Sequence, residues 1–315
     1  MKIQQIRNSF LLLITATIWG VAFVAQSVGS ENNGPFTFNS VRCIIGGIFL
    51  IPCIFFLGKI KDKNDTSSHD YSKESILQPA YLILQKKTRK SLMIGGVLCG
   101  ICLFVASNLQ QFGILTTSAG KTGFITACYI IIVPIFGIFL KRRTGPFIWL
   151  GVFVAMIGMY LLCIKEGFTI TSGDILIFLC SIVFSIHILI IDYFSPLVNG
   201  VKMSCIQFFV CGILSGIFML IFEKPVLSHI LASGIPILYA GIMSCGFAYT
   251  LQIIGQRDLN PSVASLIMSL EAVVAVLAGW IILGEVLTQK EIIGCILMFG
   301  AIILAQIPSR NKITV

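Results

Sequence analysis

The sequence predicts an all-α integral membrane protein, about ten transmembrane helices in two inverted five-helix repeats. Three observations carry that prediction. The 315 residues are 57% hydrophobic and 11% charged, with a mean hydropathy of +0.97. A soluble domain carries about 25% charge, so a water-exposed surface of normal area cannot be covered here. Ten apolar stretches, each near the roughly 20 residues that span a bilayer, fill the chain. The second half also repeats the first in one register. Asn108-Leu-Gln-Gln-Phe-Gly113 lies over Thr250-Leu-Gln-Ile-Ile-Gly255 at a spacing of 142, and the same spacing sets Gly137 on Gly279 and Gly158 on Gly300. Five spans are an odd number of crossings, so the second copy starts on the opposite side and the halves invert.

In chain order the spans fall near 10–28, 36–58, 91–111, 121–140 and 146–164, then 173–192, 203–222, 234–255, 262–283 and 291–307. The repeats are therefore 1–164 and 165–315. The first run, Phe10 to Val28, follows Lys2 and Arg7 as a secretion signal would. It is longer than an h-region and no small-x-small cleavage site follows, so it reads as a retained span. Turn residues such as Glu31-Asn32-Asn33-Gly34-Pro35 and Leu259-Asn260-Pro261 mark short connections. The exception is 59–90, polar over Asp62, Asp65, Ser67, Ser68, His69 and Asp70 and ending in Lys86-Lys87-Thr88-Arg89-Lys90. Its apolar middle, Ile76 to Leu84, is too short to span. A flexible cytoplasmic loop is expected, with a basic end suited to anionic headgroups.

The net charge of +9 comes from basic residues clustered in a few loops. With the N-terminus inside, 17 of the 22 basic residues lie in inside segments and four outside, Arg42 being within a span. The positive-inside rule then puts both termini in the cytoplasm, and the charge reads as a topology signal, not a nucleic-acid surface. Eleven cysteines are scattered through apolar stretches. Cys99-x-x-Cys102 has no second pair and no nearby histidine, so packing is expected there and no metal site or disulfide. Gly96-x-x-x-Gly100 and Gly212-x-x-x-Gly216 allow close helix packing and leave a homodimer open. No Walker loop or H-E-x-x-H is present, and no cofactor or enzyme chemistry is expected.

Chemistry is sought where polarity is costly. A charged residue at a helix centre costs about 2.5–3.5 kcal/mol on insertion scales, so it is normally paired, hydrated or protonated. Glu271 sits in that position, with Ala264, Met268, Ala275 and Ala278 on its face. It reads either as a proton or substrate-amine site or as a hydrogen-bonded tie between helices. The 142 spacing sets Tyr129 opposite Glu271, on one face with Thr122 and Thr126. The first span has the stripe Thr15, Trp19, Ala22 and Gln26; a spacing of 165 matches it to Cys180, Phe184, His187 and Ile191. Asn108 and Gln111 mark the third span, and Tyr249, Gln252 and Gln256 the eighth. Amides and phenols orient a polar or aromatic substrate without demanding one net charge, and they bridge helices equally well. Arg42, about two turns into its span, can snorkel outward, pair with a carboxylate, or attract an anionic group.

Trp19-Gly20, Arg42, Pro134, Ser269-Leu270-Glu271 and Gly284-Glu285 together resemble the drug/metabolite transporter superfamily, the ten-helix permeases with two EamA-type repeats. The resemblance covers nearly the whole chain except about 59–90. It departs in two places. Ala272 follows Glu271 where the pattern often continues Glu-Pro, so no helix break is marked there, and the fourth span ends in Lys141-Arg142-Arg143 instead of Gly-Glu. The resemblance implies a cell-membrane carrier of small organic molecules such as amino acids, other metabolites or drugs. With no ATP-binding segment, energy comes from a gradient, and Glu271 makes proton coupling the expected form. Tyr129, Trp19, His187, Asn108, Gln111, Tyr249, Gln26 and Thr126 are the expected pocket residues. An uncoupled facilitator, an intramembrane enzyme using Glu271 and His187, and a scaffold that transports nothing are the alternatives.

Overall fold

Prolines and capping side chains set where the helices begin. The computed structural model describes residues 3–30, 33–65, 74–117, 119–140, 144–163, 170–283 and 288–307. The first half runs α1 (Ile3–Ser30), α2 (Pro35–Asp65), α3 (Glu74–Ile114), α4 (Ala119–Thr126), α5 (Tyr129–Phe139) and α6 (Pro146–Cys163). The second runs α7 (Ser172–Phe194), α8 (Gly200–Phe222), the short α9 (Leu227–Ala232), α10 (Gly234–Leu238), a π-helical segment Tyr239–Ala248, α11 (Tyr249–Gly255), α12 (Pro261–Met268), α13 (Glu271–Leu283) and α14 (Gln289–Ala305). Pro35, Pro146 and Pro261 open their helices, where a missing N–H costs nothing. Thr171 with Asp174 and Thr288 with Glu291 form capping boxes on α7 and α14.

Among the described residues eight stretches are long and apolar enough to cross a membrane: α1, 35–56 of α2, 88–114 of α3, 121–139, α7, α8, 234–255 and 261–278. The apolar α6 is shorter, and α14 packs along it as the last helix of the bundle. Apolar side chains such as Phe139, Phe153, Leu220, Ile281 and Ile303 point outward, as a lipid-facing surface requires.

Three spans differ from the single helices expected. The fourth is broken into α4 and α5, the ninth into α12 and α13, and the eighth is wound as a π-helix through its middle. The break directly before Glu271 corrects the expectation of none, which rested on the missing proline. Helices α2 and α3 also run farther than expected, to Asp65 and from Glu74. Ile76 to Leu84 therefore belongs to a helix and not to an irregular loop. The middle of that loop at 66–73, Lys141-Arg142-Arg143 and Gly284-Glu285 lie outside the described residues.

Contacts between helices establish the inversion. Along α1, Asn8, Thr15 and Ile18 meet Arg257, Ala248 and Tyr239 in turn, so α1 and the eighth span are antiparallel. The eighth span runs parallel to α2, where Gly241 and Gly246 meet Arg42 and Phe49. Helices α2 and α8 are antiparallel, with Ser40 on Gly212 and Gly47 on Cys205. Helices α8 and α3 are parallel, with Gly96 on Ile206 and Asn108 on Ser215. Helices α3 and α7 are antiparallel, with Gly95 on Phe194 and Gly113 on Ile177. Three reversals separate α1 from its equivalent α7, so the two run in opposite directions. The main contacts also have exchanged mates: α1 on α13 matches α7 on α4 and α5, while α2 on α8 and α6 on α14 are their own mates. Both Gly-x-x-x-Gly motifs are used inside the chain, Gly96 and Gly100 against α8 and Gly212 and Gly216 against α2.

Candidate functional site

The two helix breaks are copies of one another. Around the first, Cys128 N donates to Ile125 O at 3.1 Å and Ile130 N to Ala127 O at 3.0 Å. Around the second, Leu270 N donates to Ile267 O at 3.2 Å and Ala272 N to Ser269 O at 3.1 Å. All four residues of the second set follow the first by 142, so both spans tighten to three-residue turns at one repeat position. No proline is needed. Side chains bond back to the preceding turn instead, Ser269 Oγ to Leu266 O at 2.8 Å and Cys128 Sγ to Phe124 O at 3.7 Å, a contact that bends helices.

Each break ends on a polar residue that starts the next helix, Tyr129 on α5 and Glu271 on α13. The Tyr129 hydroxyl donates to Glu271 Oε1 at 3.0 Å. Equivalent residues of the two halves thus touch across the pseudo-two-fold, both buried. Gly20 of α1 permits the fit, because the Glu271 carbonyl and Val274 fill the space where a side chain would stand.

Beside this pair lies a central cavity with about 50 Å³ of free room, enough for a few water molecules. Its wall comes from α1, α2, α3, both parts of the fourth and ninth spans, α7 and the eighth span. Spans five, seven and ten contribute nothing to it and support from outside. Trp19, Phe23, Phe184, Ile188, Tyr249 and Met268 give an apolar side, with the Trp19 and Tyr249 rings edge to face at 4.6 Å. Gln26, Arg42, Gln110, Thr126, Tyr129, His187, Ser244, Gln252 and Glu271 give the polar side.

Seven of the nine residues singled out from the sequence line this cavity: Glu271, Tyr129, Trp19, His187, Tyr249, Gln26 and Thr126. Asn108 and Gln111 do not. Asn108 accepts from Asn39 at 2.9 Å and donates to Phe104 O at 2.7 Å and Ser215 at 3.2 Å, tying α3 to α2 and α8. Gln111 donates to Ser30 and to Gln26 O, tying α3 to α1. Their neighbour Gln110 faces the cavity and donates to Thr126 Oγ1 at 3.1 Å. Three polar residues within four positions gave no way to choose the face. Ser244 was missed for a different reason. It stands five before Tyr249, which in an α-helix is about 140° away, but the π-helical winding brings both to one wall.

Five lining side chains hold a buried polar atom with no protein partner among the described residues: Trp19 Nε1, Gln26 Oε1, Arg42 Nε, His187 Nδ1 and Gln252 Oε1. His187 is held at its other nitrogen, with Nε2 3.2 Å from Gln207 Oε1. Buried polar atoms are normally paired, so these five are open to a polar occupant of the cavity, water included. Arg42 neither snorkels nor pairs. It is 4% exposed and has no hydrogen bond or ion pair among the described residues; its contact is the Phe38 ring, 5.5 Å from the guanidinium. A cation left so costs about 2.5–3.5 kcal/mol by insertion scales. No cluster of metal-ligating side chains occurs among the described residues.

Inverted halves around a cavity with intramembrane polar groups define a multi-pass membrane transporter. The EamA-like transporter family profile matches residues 7–164 and again 171–306. The chain belongs to the EamA-like transporter family. Two relatives span nearly its full length. One, described as an uncharacterized transporter of Archaeoglobus fulgidus, is 29% identical over 302 residues, 94% of this chain and 84% of its own. The other, the uncharacterized transporter YoaV of Bacillus subtilis, is 23% identical over 309 residues, 96% of this chain and 98% of its own. A solved crystal structure shares the fold at a TM-score of 0.68 and 17% identity, covering 95% of this chain and 96% of that one.

Proposed function

We propose that this chain is a secondary transporter carrying a small organic metabolite across the cell membrane by alternating access, with Glu271 as its proton carrier. One observation carries the reading: a buried carboxyl meets its repeat-equivalent phenol at 3.0 Å, where the two broken spans adjoin, on the wall of a central cavity. At that depth a carboxyl is stable when protonated or paired, so its ionisation depends on what else the cavity holds. The paired breaks at 127–128 and 269–270 give each half a hinge. Inverted halves, 1–164 and 165–315, then tilt so that one site faces either side in turn. Trp19, Phe184 and Tyr249 wall the substrate, Gln26, Thr126 and Gln252 orient it, and His187 adds a second titratable group. The excess of basic residues in one set of loops supports both termini in the cytoplasm.

The test is flux in reconstituted vesicles, with and without a pH gradient, for wild type and Glu271→Gln across a panel of amino acids and carboxylic metabolites. The expected result is gradient-driven accumulation by wild type, reduced in the variant to exchange that ignores the gradient. Full gradient-driven flux in the variant removes Glu271 from coupling; equal rates with and without a gradient in wild type make the protein a facilitator.

A further inference from the structure

We infer that Arg42 is the anion-binding end of the cavity, so that the cargo is a small organic monoanion, a carboxylate on an apolar body. The inference rests on the transport reading above and narrows its substrate class. Arg42 is a fixed cation on the cavity wall, buried, with its Nε lacking any partner among the described residues. The carboxyl that shares the cavity, Glu271, is engaged by Tyr129 instead. The ion pair in the described structure, Lys121 with Asp174, involves neither Arg42 nor the cavity lining.

Among the described residues, what surrounds Arg42 supplies no counter-charge. Cys43 and Cys211 approach each other at 3.5 Å beside it, and Cys245 and Tyr249 complete its setting. Thiols and a phenol solvate a cation without neutralising it. Phe38 offers its ring face from the other side, which fixes the guanidinium without using its N–H donors. A planar fork of donors held that way matches the two oxygens of a carboxylate. One fixed cation also balances one negative charge, which favours a carboxylate over a phosphate monoester carrying nearly two. The apolar body then lies on the aromatic wall, where Trp19, Tyr249, His187 and Phe184 stack edge to face at 4.6–6.5 Å.

The experiment uses the full chain purified in detergent, read by thermal shift and titration calorimetry. The probes are carboxylic acids of four to ten carbons, aliphatic and aromatic, each beside its primary amide, with phenyl phosphate as the alternative anion. At least one acid is expected to bind saturably and about tenfold or more tighter than its amide, the value of a charge-assisted hydrogen bond. Arg42→Gln is expected to lose that preference while melting at or above wild type, because it removes an uncompensated buried charge. Arg42→Lys is expected to keep part of the preference. The inference is overturned if amides bind as well as acids, if no acid in the panel binds, if phenyl phosphate binds tighter than every acid, or if Arg42→Gln keeps the preference. A variant melting well below wild type makes Arg42 a structural residue and also overturns it. These are binding readouts, so loss of proton-driven flux alone would sink the transport reading and leave this result standing.

Discussion

Gly20 offers the sharpest test of how the site is assembled. A Cβ added there would stand 2.5 Å from Val274 Cβ, 2.7 Å from the Glu271 carbonyl oxygen and 2.8 Å from Val274 Cγ1. Carbon pairs settle at about 3.5–4.0 Å, so Gly20→Ala must push α1 and α13 apart by about 1 Å. Two of the three obstructing atoms belong to a stiff β-branched side chain and the third to the backbone at the break, so no rotamer change relieves the clash. Overpacking of this kind costs about 1–3 kcal/mol. That corresponds to a melting temperature lower by about 2–10 °C, taking the shift per kcal/mol of a domain this large. The displacement falls on Glu271, so vesicle flux should drop more than stability does. Gly300→Ala is the control: nothing lies within 4 Å of its added Cβ, and alanine favours the helix by about 1 kcal/mol. Melting of Gly20→Ala within about 1 °C of wild type, with full flux, would refute the close approach of α1 to the ninth-span break.

Other outcomes follow from the same geometry. An anion enters beside Glu271 at least cost when that carboxyl is neutral, so adding a carboxylic acid that binds should draw protons onto the protein, seen with a pH dye in weak buffer. The groups facing Glu271 are Tyr129 and Cys180, with Arg42, His187 and Tyr249 across the cavity; proton release on binding would mean that cargo and proton compete. Asp174 accepts from Thr117 at 3.0 Å and from the Thr171 N–H at 2.7 Å, and pairs with Lys121. Asp174→Ala removes a cap and an ion pair together and should cost about 1–3 kcal/mol, read as a lower melting temperature. Glu223 closes α8 onto the start of α2, accepting from Phe36 N at 2.9 Å, Thr37 N at 2.8 Å and Thr37 Oγ1 at 2.6 Å. Glu223→Ala leaves those donors to fray and should cost about 1–2 kcal/mol, with acid binding at Arg42 unchanged by calorimetry.

The second half uses the repeat without copying it. Residues 127–130 and 269–272 keep one hydrogen-bond pattern, yet the residue that completes it is a phenol in one half and a carboxyl in the other. The eighth span is π-wound where its partner α3 is regular. Symmetry thus builds the paired breaks, and departures from it place a carboxyl and a guanidinium on the cavity wall.

Composition, span length and the 142 spacing determined by themselves that ten spans form two inverted halves, because lipid solvation and an odd crossing number leave no other arrangement. The same spacing sets Tyr129 opposite Glu271. Tertiary structure decided the rest. Whether Asn108, Gln110 or Gln111 faces the cavity is a matter of about 100° per residue, which an all-apolar surrounding does not mark. The breaks at 127–128 and 269–270 carry no proline and are accompanied by side chains that bond back to the preceding turn. Arg42 reads the same in sequence whether it snorkels, pairs or waits in a cavity. Only its neighbours, none of them a carboxylate among the described residues, distinguish the three, because the cost of a buried charge depends on what the fold places against it.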